Sequence, residues 1–230
     1  MLRRLIKACA LVIVAGLVVT GCAVGPLKMG AAAIVGNQRI SIATLGTQVT
    51  NLNQTAKQYP GIVMLTATQE TQQTLTWLIR YQINEELARQ AGITISPAQA
   101  QSALAQIYAS AKASAQSQGL TNVTLSLILA ANGIPPDTYA ELGRYQAIET
   151  QFVKNVSGGT LPTSTSAQTA AGAKLQKAQC QAAKALNILV NPQFGRLDYT
   201  QYQVVSAPGA VSRAQGPPPT PSLTGLAPAC

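Results

Sequence analysis

Four cysteines, seven carboxylates and no histidine limit the chemistry open to this 230-residue chain. Cys22 follows the small pair Thr20-Gly21 at the end of an apolar run. An apolar run that ends on small residues reads as a leader cleaved beside Cys22. With residues 1–21 and Cys9 removed and Cys22 set aside, Cys180 and Cys230 remain as disulfide candidates in an oxidising compartment. Their bridge would close a loop of about 50 residues and stabilise by roughly 4 kcal/mol through chain entropy. Because Cys230 ends the chain's tail, the pairing stays open at this stage. Lack of histidine removes the usual general base, the Ser-His-Asp and Cys-His arrangements, and most zinc or iron ligand sets. The carboxylates are Glu70, Glu85, Glu86, Asp137, Glu141, Glu149 and Asp198. Glu85 and Glu86 are adjacent, so a helix would point them about 100° apart, not as a catalytic pair. The expectation is a protein that is not an enzyme and carries no cofactor or metal.

The elements around Cys22 explain how it would be presented. Arg3, Arg4 and Lys7 precede an apolar stretch over residues 8–19. That stretch has the length of a signal-peptide core and is too short to span a bilayer. Val19-Thr20-Gly21-Cys22 resembles the lipobox of bacterial lipoprotein precursors, in which the cysteine takes a diacylglyceryl group before cleavage. The resemblance implies a signal peptide over 1–21, a lipid-anchored tether over 22–30, and palmitate-type acyl chains on Cys22. Two or three such chains attach stably where one holds only marginally. The expected location is the extracytoplasmic face of the cell membrane. Arg3-Arg4-Leu5-Ile6-Lys7 is similar only in part to a twin-arginine signal, so general secretion is the expected route.

About 209 residues follow the signal, enough for one domain with a proper core plus tails. The full chain has 16 Lys plus Arg against 7 Asp plus Glu. Without Arg3, Arg4 and Lys7 the balance is about +6. These charges are scattered singly, without a basic run or an aromatic ladder, which argues against a nucleic-acid partner.

The body of the chain reads as helices with short strands. Ala31-Ala32-Ala33-Ile34-Val35-Gly36, Asn37-Gln38 and Arg39-Ile40 suggest a strand and turn before Ser41 caps a helix with Ile42, Leu45, Val49 and Leu52 on one face. The strongest helix is expected over 68–91, with Leu75, Leu78, Ile79, Ile83 and Leu87 as its stripe and Gly92 as its C-terminal cap. Ser96-Pro97-Ala98-Gln99 combines an N-cap, a proline at the first helical position and a capping-box glutamine. A short apolar helix follows over 123–131. Another starts at Pro135-Pro136-Asp137, with Tyr139, Leu142, Tyr145, Ile148, Phe152 and Val153 facing inward. Residues 157–165 form a flexible linker, 167–186 a last helix, and 188–190 and 202–205 strands. The Pro-rich segment 207–230 is expected to be disordered. The fold class is mainly α with a small sheet, in one domain over 31–206.

Three stretches together resemble the N-terminal domain of the periplasmic chaperone SurA and its lipoprotein relatives, the SurA/PrsA-type family. They are Ala33-Ile34-Val35-Gly36-Asn37-Gln38-Arg39-Ile40-Ser41, the run from Leu75 through Glu85 and Leu87 to Ala91-Gly92-Ile93-Thr94-Ile95-Ser96, and Val190-Asn191-Pro192-Gln193-Phe194-Gly195. The resemblance implies a SurA N-domain-like helical bundle whose small sheet pairs N- and C-terminal strands. Many relatives insert a parvulin prolyl-isomerase domain before the final helix. Here the linker 157–165 leaves no room for one, which argues against isomerase activity.

A chaperone of this kind needs no reactive residue; it offers tolerant apolar and aromatic contacts to extended polypeptide. Trp77, Tyr81 and Tyr108 are the candidate peptide-binding residues, with Tyr139 and Tyr145 as further aromatics, although helical spacing favours a core position for any single one of the five. Trp77 and Tyr81 lie one turn apart on the flank of the main stripe and are expected to be part exposed. The implied partners are unfolded or exported polypeptides and the membrane through the lipid. The alternative is a lipoprotein that binds a specific small ligand or an envelope protein partner.

Overall fold

A computed structural model describes residues 30–61 and 63–206. The expected signal peptide, Cys22, most of the tether, the segment 207–230 and Cys230 lie outside the described residues. The architecture is mainly α, with six helices and two small antiparallel sheets in the described part.

Strands β1 (Ala31–Val35) and β2 (Gln38–Ser41) form a hairpin that leads directly into α1 (Ile42–Gln58). Ser41 Oγ accepts from the Thr44 backbone N–H at 2.9 Å and fixes the start of that helix. Helix α2 (Ala67–Ala91) is the hub, packing against α1, α5, α6, β1 and β5. It begins one residue earlier than its apolar period suggests, because Thr66 and Gln69 close a capping box. Gly92, at φ 63°, ends it in the left-handed conformation expected of a glycine cap. Leu75, Ile79, Ile83 and Leu87 are buried as their spacing requires, while Leu78 is only partly covered.

Helix α3 (Pro97–Ser117) starts with the capping box read from Ser96 and Gln99. Helix α4 (Leu125–Ala131) is capped by Thr124. A 3-10 turn over Pro136–Thr138 then feeds α5 (Tyr139–Val156). Helices α3 and α5 cross so closely that a Cβ placed on Gly143 would lie 2.5 Å from the Ala100 carbonyl oxygen. Helix α6 (Thr165–Ala185) begins inside the expected linker, where Ser164 Oγ accepts from the Ala167 N–H.

Strand β3 (Leu189–Val190) pairs antiparallel with β1, matching Ala33 to Val190 and Ile34 to Leu189, in a sheet ordered β2-β1-β3. The two ends of the helical run are tied together in this way. The strand expected near the end, β5 (Gln203–Val205), does not join that sheet. It pairs instead with β4 (Arg196–Asp198), a strand too short and polar to stand out in the sequence. The main core gathers β1, the stripe of α2, Ile148 of α5, Ala182 and Ala183 of α6, and Leu197 and Val204 of the second hairpin. No described helix is long and apolar enough to cross a membrane.

Candidate functional site

Three of the five aromatic candidates, Trp77, Tyr81 and Tyr145, converge on the seam between α2 and α5. Trp77 and Tyr81 are one helical turn apart, with ring centroids 5.9 Å from each other. Tyr145 meets both edge-on, at 5.8 and 6.1 Å. Such T-shaped contacts stabilise by about 0.5–1.5 kcal/mol beyond area burial. The Arg80 guanidinium lies 5.2 Å from the Trp77 ring centroid and adds a cation–π contact.

Burial sorts these residues differently from the sequence expectation. Tyr81 is only 6% exposed, and its hydroxyl is 2.9 Å from Thr138 Oγ1. Thr138 Oγ1 in turn donates to the Pro135 carbonyl, so the tyrosine is the donor in that pair. Tyr81 is therefore a core residue with a satisfied hydroxyl, not part of an open surface, and burial pushes its pKa well above the ordinary tyrosine value. Trp77 is partly exposed on the rim of the same cluster. Tyr108 is partly exposed on α3, where its hydroxyl donates to the Val123 carbonyl at 3.0 Å and Lys112 sits 5.7 Å from the ring centroid. It anchors the loop before α4 and lies apart from the Trp77 cluster. Tyr139, expected to face inward, is 52% exposed: at about 100° per residue it lies on the side of α5 opposite buried Ile148. Met64, in the α1–α2 connection, is 82% exposed.

Beside the aromatic seam runs a polar network that sequence spacing did not reveal. Gln179 of α6 donates to Asn84 Oδ1 at 3.1 Å and to Glu149 Oε1 at 2.7 Å. Asn84, 1% exposed, donates to the Tyr145 carbonyl at 3.2 Å. Arg80 reaches the second hairpin, donating to the Tyr202 and Gln201 carbonyls at 3.1 and 2.9 Å. Burial raises the Glu149 carboxyl above its usual range, while hydrogen bonds from Tyr145, Gln179 and Asn84 and the charge of Arg80 oppose that rise. Burial and the neighbouring Glu149 charge both raise Tyr145. Each member spans different elements, so the network joins α2, α5, α6 and the β4–β5 hairpin. Its members are amides, carbonyls, a phenol, the Glu149 carboxyl and the Arg80 guanidinium, and the polar contacts among them are structural.

Glu85 and Arg144 form a bidentate pair at 2.5 and 2.8 Å, and Arg144 also donates to the Ile95 carbonyl at 3.1 Å. Together they pin the α2–α3 joint to α5. Glu86 pairs separately with Arg89, one turn away on the same helix. The two adjacent carboxylates thus point to different partners, as their spacing demands. Cys180 is partly buried on α6. A shallow open pocket of about 450 Å³ lies between α5 and α6, lined by Val156, Leu161, Pro162, Ala167, Ala171 and Lys174 among others. Among the described residues, no group of histidine, cysteine, aspartate and glutamate side chains could hold a metal ion.

A family model described as a SurA-like N-terminal domain matches residues 2–153. The matched part ends within α5, so α6 and strands β3 to β5 lie beyond it. No curated protein and no solved structure matches the chain.

Proposed function

Because the chain belongs to the SurA-like N-terminal domain family, we propose that it is a membrane-anchored, extracytoplasmic chaperone-like lipoprotein that binds unfolded or exported polypeptides without catalysis. The observation that carries this reading is the family match across the β1–β2 hairpin and helices α1 to α4, the greater part of the helical bundle. Three further features support it. Large apolar side chains remain open at Met64 and Tyr139, with Trp77 part exposed on its rim. Sequence order around Val19-Thr20-Gly21-Cys22 supplies the anchor. The chain has no histidine, and the cluster nearest to a site is filled by structural hydrogen bonds.

The test is suppression of aggregation of a chemically unfolded client, with a folded double variant, Met64→Gln with Tyr139→Ser, run in parallel. Dose-dependent suppression by wild type, weakened in the variant, is the expected result. No suppression well above the client concentration would sink the reading. A saturable thermal shift with one small molecule and indifference to unfolded chains would favour a specific ligand in its place. Mass spectrometry of protein from bacterial membranes tests the anchor: a diacylglyceryl-modified amino-terminal Cys22 is expected, and an unmodified Cys22 would remove it.

A further inference from the structure

Positive charge is unevenly divided along the domain. Residues 30–149 carry six cations and six carboxylates, whereas residues 150–206 carry Lys154, Lys174, Lys177, Lys184 and Arg196 against Asp198 alone. Helix α6 has no acidic residue at all. At about 100° per residue, Lys174, Lys177 and Lys184 fall within an arc of about 80° and span about 15 Å along the axis. All three are exposed. Gln181 lies in the same arc, and Ala170 and Ala173 leave its surroundings low and open. The opposite side, with Ala171, Ala182 and Ala183, is buried on the bundle.

Among the described residues, no carboxylate pairs with these lysines. Glu85 and Glu86 are taken by Arg144 and Arg89, Glu70 is buried against Asn53, and Glu149 faces Gln179 on the inner side of α6. Asp198 is held by Thr200 on the β4–β5 hairpin. Lys174 donates only to the Val156 carbonyl, at 3.4 Å.

The chain's point of entry is one strand length from the end of this helix. Gly30 precedes β1, and just past the far end of that five-residue strand the Gly36 N–H donates at 2.6 Å to the carbonyl of Leu186, the residue that caps the C-terminus of α6. Eight peptide units separate Cys22 from Gly30, a reach of at most about 28 Å. A lipid on Cys22 would keep the domain within about a tether length of the headgroups, with its orientation left to its own surface.

We propose that the Lys174, Lys177 and Lys184 face of α6 docks on an anionic lipid surface and so orients the tethered domain. The choice of lipid over another polyanion rests on the anchored reading above. Charge complementarity carries the rest: near an anionic leaflet each lysine strengthens attachment roughly fivefold, and the effect fades within a Debye length.

The test uses the full chain with Cys22→Ser, which takes no lipid, so that headgroup binding is read apart from anchoring. Sedimentation with phosphatidylcholine vesicles sets the baseline, and vesicles that also contain phosphatidylglycerol give the anionic gain. Replacing the three α6 lysines with glutamine is expected to lower that gain on the order of 10- to 100-fold at low salt. Replacing all three with arginine should keep it. A control with Lys57→Gln, Arg89→Gln and Lys112→Gln removes the same charge from other helices and should keep most of it. Equal loss in both glutamine variants, or no anionic gain in the parent, would overturn the proposal. So would polyglutamate binding at the α6 lysines more tightly than the vesicles do. Failure on any of these counts leaves client binding and acylation of Cys22 to be judged by their own tests.

Discussion

Helices α5 and α6 both pack on α2, but they are held there by different means. Helix α5 brings Ile148 and Leu142 to a seam of large side chains with Ile79, Ile83 and Tyr81 on α2. Helix α6 brings alanines at 171, 182 and 183, with Leu175 and Ala178 partly covered. Small side chains bury little apolar area, at roughly 25 cal/mol per Å² removed from water. The hold on α6 is therefore shared with hydrogen bonds from Gln179 and with β3, which follows it onto β1. The contrast is between a seam stabilised by bulk and one that depends on fit and on satisfied polar groups.

Ile79→Ala attacks the first seam at a side chain that is fully buried. Unfolding by urea should show a loss of about 2–5 kcal/mol, the cost of the lost methyl groups and of the cavity they leave. A loss under 1 kcal/mol would mean that the seam can collapse and is looser than described. Ala182→Leu attacks the second seam from the opposite direction, by excess volume. Overpacking there should cost about 1–3 kcal/mol, with amides of α6 exchanging before those of α2. If α2 and α6 loosen together, the distinction between the seams fails.

Tyr81→Phe keeps the ring and removes the hydroxyl that donates to Thr138. Thr138 retains its bond to Pro135, so the expected cost is about 0.5–1.5 kcal/mol. Aggregation suppression should be unchanged after correction for stability, because Tyr81 is not at the surface. A selective loss of client binding in this folded variant would return Tyr81 to the binding surface.

The difference between the seams also explains which features were legible in the sequence. Ser96-Pro97-Ala98-Gln99 and Gly92 act through their own backbone neighbours, so their roles could be read from spacing alone. The stripe Leu75, Ile79, Ile83 and Leu87 shows the same directness, since each residue reports one face of one helix. Tyr81 was misjudged because its hydroxyl partner, Thr138, is 57 residues away and lies in a 3-10 turn. The network through Gln179 was hidden for a similar reason, because an amide in an alanine-rich helix carries no periodic signal. The lysines of α6 look isolated along the chain, and only the helical period gathers them on one face. Strand β4 has three residues and exists through its pairing with β5, which no local pattern announces.

Glu149 offers the finest test of the α6 seam, because its charge can be removed with little change of shape. Burial raises its folded-state pKa, whereas in the unfolded chain it titrates near the ordinary glutamate value. Between those two values the folded protein binds more protons than the unfolded one. Its contribution is then most favourable below the unfolded value and is lost as pH rises through the folded value. Arg80 faces the carboxyl and stays charged throughout this window, while Tyr145 titrates far above it, so neither reverses the sign. Glu149→Gln retains an acceptor for Gln179 and removes the titration. Its stability relative to wild type should therefore rise from acid to neutral pH and then level off. A difference that stays flat would show that the hydrogen bonds from Tyr145, Gln179 and Asn84 balance burial, and one that falls over the same range would show that they outweigh it. The seam would then be stabilised by the charged form of Glu149 and not merely tolerant of it.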